Sequence, residues 1–276
     1  MTGGSRARFA SVVREAEIDL GLACLLIGAE THPDLDVDAA LRLLDQLAED
    51  VAPAVAQARS ADEVAAALGT ALGARAGFRG GEEDYGDLRS SLLHEVLRRR
   101  RGLPILLSVV YVEVGRRVGR QVLPIGLPGH FVVGVPEAPD GPPVLLDPFA
   151  GGVVCSRDDV LRRVRAVTGD AAYTDEAALA PWDPGAVLGR VLANIRGHST
   201  SADTLRTRLW ATELALLLPS HPLALRRERA ETLARLGDFL GAATELAGFA
   251  EAVGDADPAA AERAQREARL VLSRLS

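Results

Sequence analysis

The segment of residues 102–119, GLPILLSVVYVEVGRRVG, constrains the fold more than any other part of the chain. Pro104 stands where proline is favoured, at the first position of a helix, and Gly102 and Gly119 bracket the segment. The first three helical turns after Pro104 are apolar on nearly every face. Such a helix has to be enclosed by other elements, because no side of it suits water. We therefore expect this helix at the centre of a domain.

The residues after Gly119 change to a strand pattern. Three short apolar segments, VLPIGL, HFVVGV and PVLLDPF, are separated by Pro-Gly and by the loop PEAPDGPP. A central helix that leads into an antiparallel meander predicts an α+β fold.

The residues before the central helix predict a helical lead-in. Helical spacing of apolar residues predicts a first helix over 9–29, a second that begins after Asp36 or Asp38, and a third within 61–76. A glycine-rich acidic loop, 77–87, then leads to a helix that ends at Gly102. Arginines 98–101 in its last turn suggest an anion site, but we favour a role in opposing the helix dipole.

From about residue 184 the pattern is helical again. Residues 223–254 match the small and large positions of a tetratricopeptide (TPR) helix pair at Ala230, Leu233, Gly237, Ala242, Leu246 and Phe249. We predict an N-terminal helical segment (1–76), a core (77–170) and a helical TPR-like domain (184–276). The last part either closes the core or binds a protein partner, because repeats usually need three units for stability.

Composition excludes several classes of protein. The net charge of -7 argues against nucleic-acid binding, which needs surplus positive charge. We find neither a signal peptide nor a membrane span, and expect a cytoplasmic protein. The two cysteines, Cys24 and Cys155, fit neither a disulfide framework nor a zinc spacing, and we expect no cofactor.

His130 and Asp147 are the strongest catalytic candidates. If 130–135 and 142–147 form a hairpin, pairing Val133 with Val144 also places His130 directly opposite Asp147, ~5 Å away. A carboxylate beside an imidazole fixes its tautomer, as in a Ser-His-Asp or Cys-His-Asp triad. The N-terminus of the central helix is the expected place for the third group, because the helix dipole there lowers a thiol's pKa.

These motifs carry a family resemblance. DLRSSLLHEVLRRRRGLPILLSVVYVEVGRRVG, GLPGHFVVGV and LLDPFAGG resemble the SirB1 family of transglutaminase-like proteins, and the resemblance covers nearly the whole chain. It implies a transglutaminase-like (papain-like) core, a helical lead-in and a TPR-like tail. Catalytic relatives of the wider superfamily begin the central helix with Gly-x-Cys, and His130 and Asp147 match their histidine and aspartate.

The position that matches the nucleophilic cysteine is Pro104, a pattern that SirB1-like proteins share. The chain departs from the SirB1 pattern at Ser90 and His94, where asparagines are usual. The resemblance implies a binding or regulatory protein that uses the His130 and Asp147 cleft for an acyl or amide ligand, with the tail contacting a protein partner. The alternative is an acyl transferase or amide hydrolase in which His130 is the general base.

Other candidates have weaker support. Ser108 lies one turn after Pro104, but a helical serine more often bonds the carbonyl four residues back. We expect Cys155 on the strand that follows the Asp147 strand, where its thiol packs in the hydrophobic core. Tyr85 and Pro104 are candidate binding residues, and so are His94 and Glu95.

His94 and Glu95 could also join His130 and Asp147 at a metal ion. Adjacent helical residues point about 100° apart, so we favour a surface or capping role for His94 and predict no metal. The remaining histidines, His32, His198 and His221, lie beside loop or cap signals and are expected to be solvated.

Overall fold

The computed structural model describes residues 2–138, 141–168 and 179–275. Parts of four predicted features lie outside these ranges. They are residue 1 of the lead-in, residues 139 and 140 of the PEAPDGPP loop, residues 169 and 170 of the core, and residue 276 of the tail.

The central helix is confirmed. It spans Pro104–Arg117 and is called α6 below, with Pro104 in its first turn and Leu103 in an extended conformation before it. Leu106, Leu107 and Val109, which point to different sides of the helix, are all buried. The absence of a polar face therefore corresponds to a helix that is covered all round.

The four strands form one antiparallel meander in the order β1-β2-β3-β4. Their bounds are β1 Leu123–Leu127, β2 His130–Val135, β3 Val144–Asp147 and β4 Val153–Cys155. β2 and α6 pack together, and Phe131, Val133 and Leu146 belong to the same core as α6. The opposite face is covered by α7, Arg157–Thr168, whose Val160 and Val164 pack on Val132 and Leu145.

The predicted pairing of β2 with β3 is wrong by two residues. Val133 lies opposite Leu146 and Val135 opposite Val144. The connection between the two strands is therefore two residues longer than we assumed. A shift of two residues keeps each side chain on its face, because side chains alternate with a period of two. His130 and Asp147 therefore remain neighbours, but on a diagonal.

The lead-in is helical, with one interruption that the sequence pattern missed. The predicted helix over 9–29 covers the end of α1, Thr2–Val12, and all of α2, Leu20–Gly28. Asp19 is the N-cap of α2 and accepts a hydrogen bond from the Leu22 backbone N–H. Because a new helix starts here, the segment is not one continuous helix. The helix α3, Val37–Gln57, begins after Asp36, and α4, Ala61–Leu68, continues as a π-helical turn over Gly69–Arg75.

The helix before α6 is shorter than predicted. Two 3₁₀ turns, Glu82–Gly86 and Leu88–Ser91, precede α5, Leu93–Arg99. The left-handed residue is Arg100 (φ 60°) and not Gly102, and the Arg100 guanidinium lies over the Phe78 ring. Gly102 is needed for space, because a Cβ there would lie 2.5 Å from a methyl carbon of Val96.

The arginines at the end of α5 and just after it do more than oppose the helix dipole. Arg99 pairs with Asp87 at 3.0 Å and Arg101 pairs with Asp84 at 2.9 Å. Both partners belong to the acidic segment of the preceding loop. The arginines therefore fasten this loop beside the start of α6 and do not form an anion site.

Over the described residues 184–275, the C-terminal part contains five α-helices: α8 Pro184–His198, α9 Leu205–Ala215, α10 Ala224–Arg235, α11 Phe239–Val253 and α12 Pro258–Leu272. The core around α6 includes α8 and α9, whereas α10 to α12 form a smaller cluster around Ala230, Leu246 and Ala264. The predicted parts 1–76, 77–170 and 184–276 thus share one core across both boundaries. The TPR-like character of the tail stays a prediction. None of the described helices is long and apolar enough to cross a membrane.

Candidate functional site

A cavity of about 350 Å³ lies at the N-terminus of α6. Its walls come from four places in the chain: the loop before α5, the start of α6, the start of β2 and one side of α8. The residues that line it are Tyr85, Leu103, Pro104, Ile105, Gly129, His130, Phe131, Arg190, Ala193, Asn194, Gly197 and His198. The fold thus brings Tyr85, Pro104 and His130, three of the predicted site residues, to one space.

His130 and Asp147 form the predicted hydrogen bond. His130 Nε2 lies 2.9 Å from Asp147 Oδ2, and the His130 side chain is 15% exposed. Because the carboxylate accepts, Nε2 carries the proton in this pair and Nδ1 is the nitrogen left for a ligand. His130 therefore faces an open cavity and not a sealed core.

Asp147 is held in place by more than His130. Its Oδ1 accepts the backbone N–H groups of Phe149 and Ala150 at 3.0 and 3.1 Å, and its Oδ2 also accepts from Arg163 at 2.7 Å. Burial by itself would raise the pKa of Asp147, but the hydrogen bond and charge of His130, then Arg163 and the Ala150 N–H, outweigh it and lower that pKa. Asp147 is thus a rigid anion that orients the imidazole.

Aromatic rings flank the imidazole. The Phe149 ring stands edge-on to His130 with centroids 5.9 Å apart, and Tyr85 lies against Phe149 at 5.6 Å. Burial and then the charge of Asp147 raise the pKa of Tyr85, so its hydroxyl stays protonated and acts as a donor. These contacts restrict the rotation of the His130 ring.

The start of α6 contributes a helix N-terminus to the cavity. The Leu107 N–H closes the first helical hydrogen bond on the Leu103 carbonyl, so the N–H groups of Ile105 and Leu106 have no partner within the helix. Pro104 offers neither a nucleophile nor an N–H. The helix end therefore presents partial positive charge without a reacting atom.

No cysteine, serine or threonine is among the described residues that line the cavity. Ser108 is fully buried, and its Oγ has no hydrogen-bond partner, so the expected bond to the carbonyl four residues back is not formed. Tyr111, one turn further along α6, is also buried with an unpartnered hydroxyl, and burial raises its pKa. Neither Ser108 nor Tyr111 is among the residues that line the cavity.

The two cysteines do not resemble reactive thiols. Cys24 is buried in α2, and burial raises its pKa. Cys155 ends β4, as predicted, and burial followed by the charge of Asp147 raises its pKa to about 11. Reactive cysteines need lowered pKa values, so neither thiol is poised for nucleophilic attack.

His94 and Glu95 do not line the cavity and do not join His130 and Asp147. Among the described residues, the only group of three or more histidine, cysteine or acidic side chains with converging ligand atoms is His32, His94 and Glu95. The four-residue combination, which we weighed and did not favour, is not formed among the described residues, because α5 packs against α2 and turns the His94 ring towards His32. Burial, and then the charge of His32, lowers the pKa of His94 to about 4.

Several residues of the site could not be found in the sequence. Arg163 lies on α7, while Arg190, Asn194 and His198 lie on α8, far along the chain from His130. We expected His198 to be solvated, but it is half-buried in the cavity wall. Phe149 follows Asp147 in the Asp-Pro-Phe motif, which was a usable signal.

Comparisons with known proteins show which family the chain is similar to. A family model described as the transglutaminase-like superfamily matches residues 38–193. A UPF0162 protein of Xylella fastidiosa (strain 9a5c) is 31% identical over 242 residues, which cover 86% of this chain and 84% of that protein. A UPF0162 protein of Pseudomonas aeruginosa is 32% identical over 190 residues, 66% of each chain.

A shorter similarity reaches a eukaryotic protein. F-box only protein 21 of Mus musculus is 36% identical over 55 residues, which cover 20% of this chain and 9% of that protein. No solved structure matches the chain.

Proposed function

Because this chain belongs to the transglutaminase-like superfamily, we propose that it is a SirB1-type member that binds an acyl or amide group without bonding to it covalently. The observation that carries the proposal is the wall of the His130 cavity. It combines an imidazole oriented by Asp147 with a helix N-terminus, and its described residues include no cysteine, serine or threonine. Pro104 stands where the resemblance places the nucleophile of catalytic relatives.

The cavity wall favours a particular ligand chemistry. Hydrogen-bond donors come from the start of α6 and the α8 side chains Arg190 and His198, which suit carbonyl or carboxylate oxygens, while His130 Nδ1 accepts from an amide N–H. Leu103, Ile105 and Phe131 supply apolar surface beside them. The proposed ligand is therefore an acylated amino acid or a peptide end that carries both an amide and a carboxylate.

N-acetylglycine is a suitable probe, because it contains only these two groups. We expect a dissociation constant in the millimolar range, since about eight non-hydrogen atoms contribute a few tenths of a kcal/mol each or more. The imidazole NMR signals of His130 should shift on titration, and His130→Ala should abolish the saturable binding. The control is His221→Ala, because that ring contacts the Leu218 carbonyl outside the cavity.

A neutral probe shows whether the cavity recognises the acyl group, the carboxylate or both. N-acetylglycinamide keeps the acyl group but lacks the charge, and it should bind more weakly if Arg190 recognises a carboxylate. If neither probe shifts the His130 signals at concentrations that would saturate a millimolar site, the proposal is wrong.

An enzymatic alternative is favoured by one observation, the exposure of His130 to the cavity. In that case His130 activates water for amide or ester hydrolysis, and the start of α6 binds the developing oxyanion. Hydrolysis of p-nitrophenyl acetate distinguishes the two. Equal rates for the wild type and His130→Ala support binding alone, whereas a loss of about 10² to 10⁴-fold supports general-base catalysis.

The tail is proposed to contact a protein partner. The helices α10 and α11 pack as an antiparallel pair joined at Gly237, whose φ of 88° requires glycine. Leu240 and Leu270 are 65% and 67% exposed on the C-terminal helices. A photoreactive residue introduced at Leu240 should crosslink a protein in cells, whereas one at the exposed Arg206 should not.

A further inference from the structure

Three side chains that could hold a metal ion meet away from the cavity. His32 lies in the turn after α2, while His94 and Glu95 lie in the first turn of α5. One ligand atom from each lies within 4.8 Å of the other two. None of the three lines the His130 cavity, so this group is independent of the proposed function.

The distances approach those of a coordination shell. His32 Nδ1 and His94 Nε2 are 3.1 Å apart. Two nitrogens bound tetrahedrally to zinc at about 2.0 to 2.1 Å are about 3.3 to 3.4 Å apart. His94 Nε2 and Glu95 Oε1 are 3.9 Å apart, so the carboxylate has to approach by about 0.5 Å. All three ligand atoms lie within 4.8 Å of one another, so side-chain movements of about 1 to 1.5 Å bring them to coordination distances.

The surroundings hold the His94 ring in this place. Gly28 of α2 leaves room for it, because a Cβ at that position would lie 2.3 Å from His94 Nδ1. The ring is largely buried between α2 and α5, with Nε2 directed at His32. In its neutral form an imidazole has a lone pair to offer a cation.

Glu95 is oriented by its neighbour. Arg98 donates to Glu95 Oε2 at 2.6 Å, which leaves Oε1 on the side of His94. A partner of this kind fixes a ligating carboxylate in the way that outer contacts commonly support metal ligands. The Arg98 side chain is itself exposed and can adjust as the carboxylate moves.

We propose that His32, His94 and Glu95 bind one divalent transition-metal ion of the zinc type. Two imidazoles and a carboxylate are a ligand set that suits zinc, and three protein ligands leave a fourth position for water. His32 is exposed, so that position is open to solvent. The ion replaces the contacts that His32 Nδ1 makes with His94 and with Thr31 Oγ1, and joins the turn after α2 to α5.

Calorimetric titration of the full, untagged chain with zinc chloride tests the site. We expect one ion per chain, and a loss of affinity of at least about tenfold in each of His32→Ala, His94→Asn and Glu95→Gln. His94→Asn installs the residue that the SirB1 pattern usually has at this position. Because His32 is exposed, His32→Ala removes a ligand without disturbing the core. The control His221→Ala should bind zinc like the wild type.

Cobalt chloride provides a second readout, because tetrahedral cobalt absorbs strongly in the visible range and octahedral aqueous cobalt does not. The wild type should show these bands and His32→Ala should lack them. Three outcomes overturn the proposal: no stoichiometric zinc binding by the wild type, binding that His32→Ala and His94→Asn leave unchanged, or binding that is lost in His130→Ala but kept in His32→Ala.

Discussion

The His130 imidazole bonds Asp147 from a diagonal position in the sheet. Continuing the pairing of β2 with β3 by one residue places Asp147 opposite Val132, so His130 at the start of β2 is two residues further along. Diagonal neighbours are within reach of long side chains. The carboxylate is fixed by two backbone N–H groups and Arg163, and the imidazole adopts the orientation that this anion imposes.

The buried charge of Asp147 predicts a pH-dependent stability. Asp147→Asn should lower the free energy of unfolding by about 1 to 3 kcal/mol at pH 7, because it replaces the charged acceptor of these hydrogen bonds with a neutral amide. A carboxyl whose pKa is lower in the folded state stabilises the fold above its unfolded value of about 3.9, and loses this contribution as the pH falls through the folded value. The difference in unfolding free energy between the wild type and Asp147→Asn should therefore shrink below pH 4.

Urea unfolding at pH 7 and pH 3 measures this difference. Asp34→Asn, which changes an exposed carboxylate in a turn, is the matched control and should have little effect at either pH. A penalty for Asp147→Asn that is the same at both pH values would contradict the role given to its charge.

The native thiols are predicted to be unreactive. With a pKa of about 11, Cys155 carries more than about a hundredfold less thiolate at pH 8 than a free thiol with a pKa of ~8.5. The rate at which iodoacetamide alkylates the native protein should be low, and it should rise tenfold per pH unit from pH 7 to 10. In concentrated urea, the alkylation rate of the same protein should report a thiol pKa of ~8.5. A plateau below pH 9 in the native protein would refute this prediction.

The turn after Asp147 is predicted to depend on glycine at position 73. A Cβ at Gly73 would lie 1.8 Å from the Gly151 carbonyl oxygen, a backbone atom that cannot move without shifting the turn that holds Asp147. Gly73→Ala should destabilise the fold by about 1 to 3 kcal/mol or more. Gly189→Ala is the matched control: it lies in α8 with only an ordinary contact to Leu218, and should stabilise by up to about 1 kcal/mol. Thermal unfolding of both variants tests the pair, and equal effects would contradict the close approach.

Local patterns in the sequence were sufficient for the elements nearest the site. An apolar helix beginning with proline and the alternating segments after Gly119 predicted α6 and the meander correctly, because burial and period are properties of short segments. The interruption between α1 and α2 was missed, since apolar spacing continues through it and the local sign of it is Asp19, the N-cap that starts α2. The strand register was missed because loop length alone does not fix it.

Contacts between distant segments were beyond the sequence. Arg163 and His198 reach the site from α7 and α8, and nothing in their local patterns distinguishes them from other helical surface residues. His32 and His94 are 62 positions apart, and they meet because Gly28 allows α5 to pack closely against α2. Such juxtapositions depend on tertiary packing, which a single sequence does not display.

The central claim is that the site keeps the surroundings of a nucleophile without the nucleophile itself, and Pro104→Cys tests it most directly. The substitution should cost only about 0.4 to 1 kcal/mol, because it mainly frees the unfolded chain. In a Cys24→Ala, Cys155→Ala background, the rate of alkylation by iodoacetamide is measured against pH, with and without His130→Ala. We predict a thiol pKa in the range of about 3.5 to 7.5 that is typical of helix N-termini, and a higher pKa when His130 is removed. A thiol that titrates near 8.5 in both proteins would show that the helix and the histidine do not act on one point, and would contradict the account.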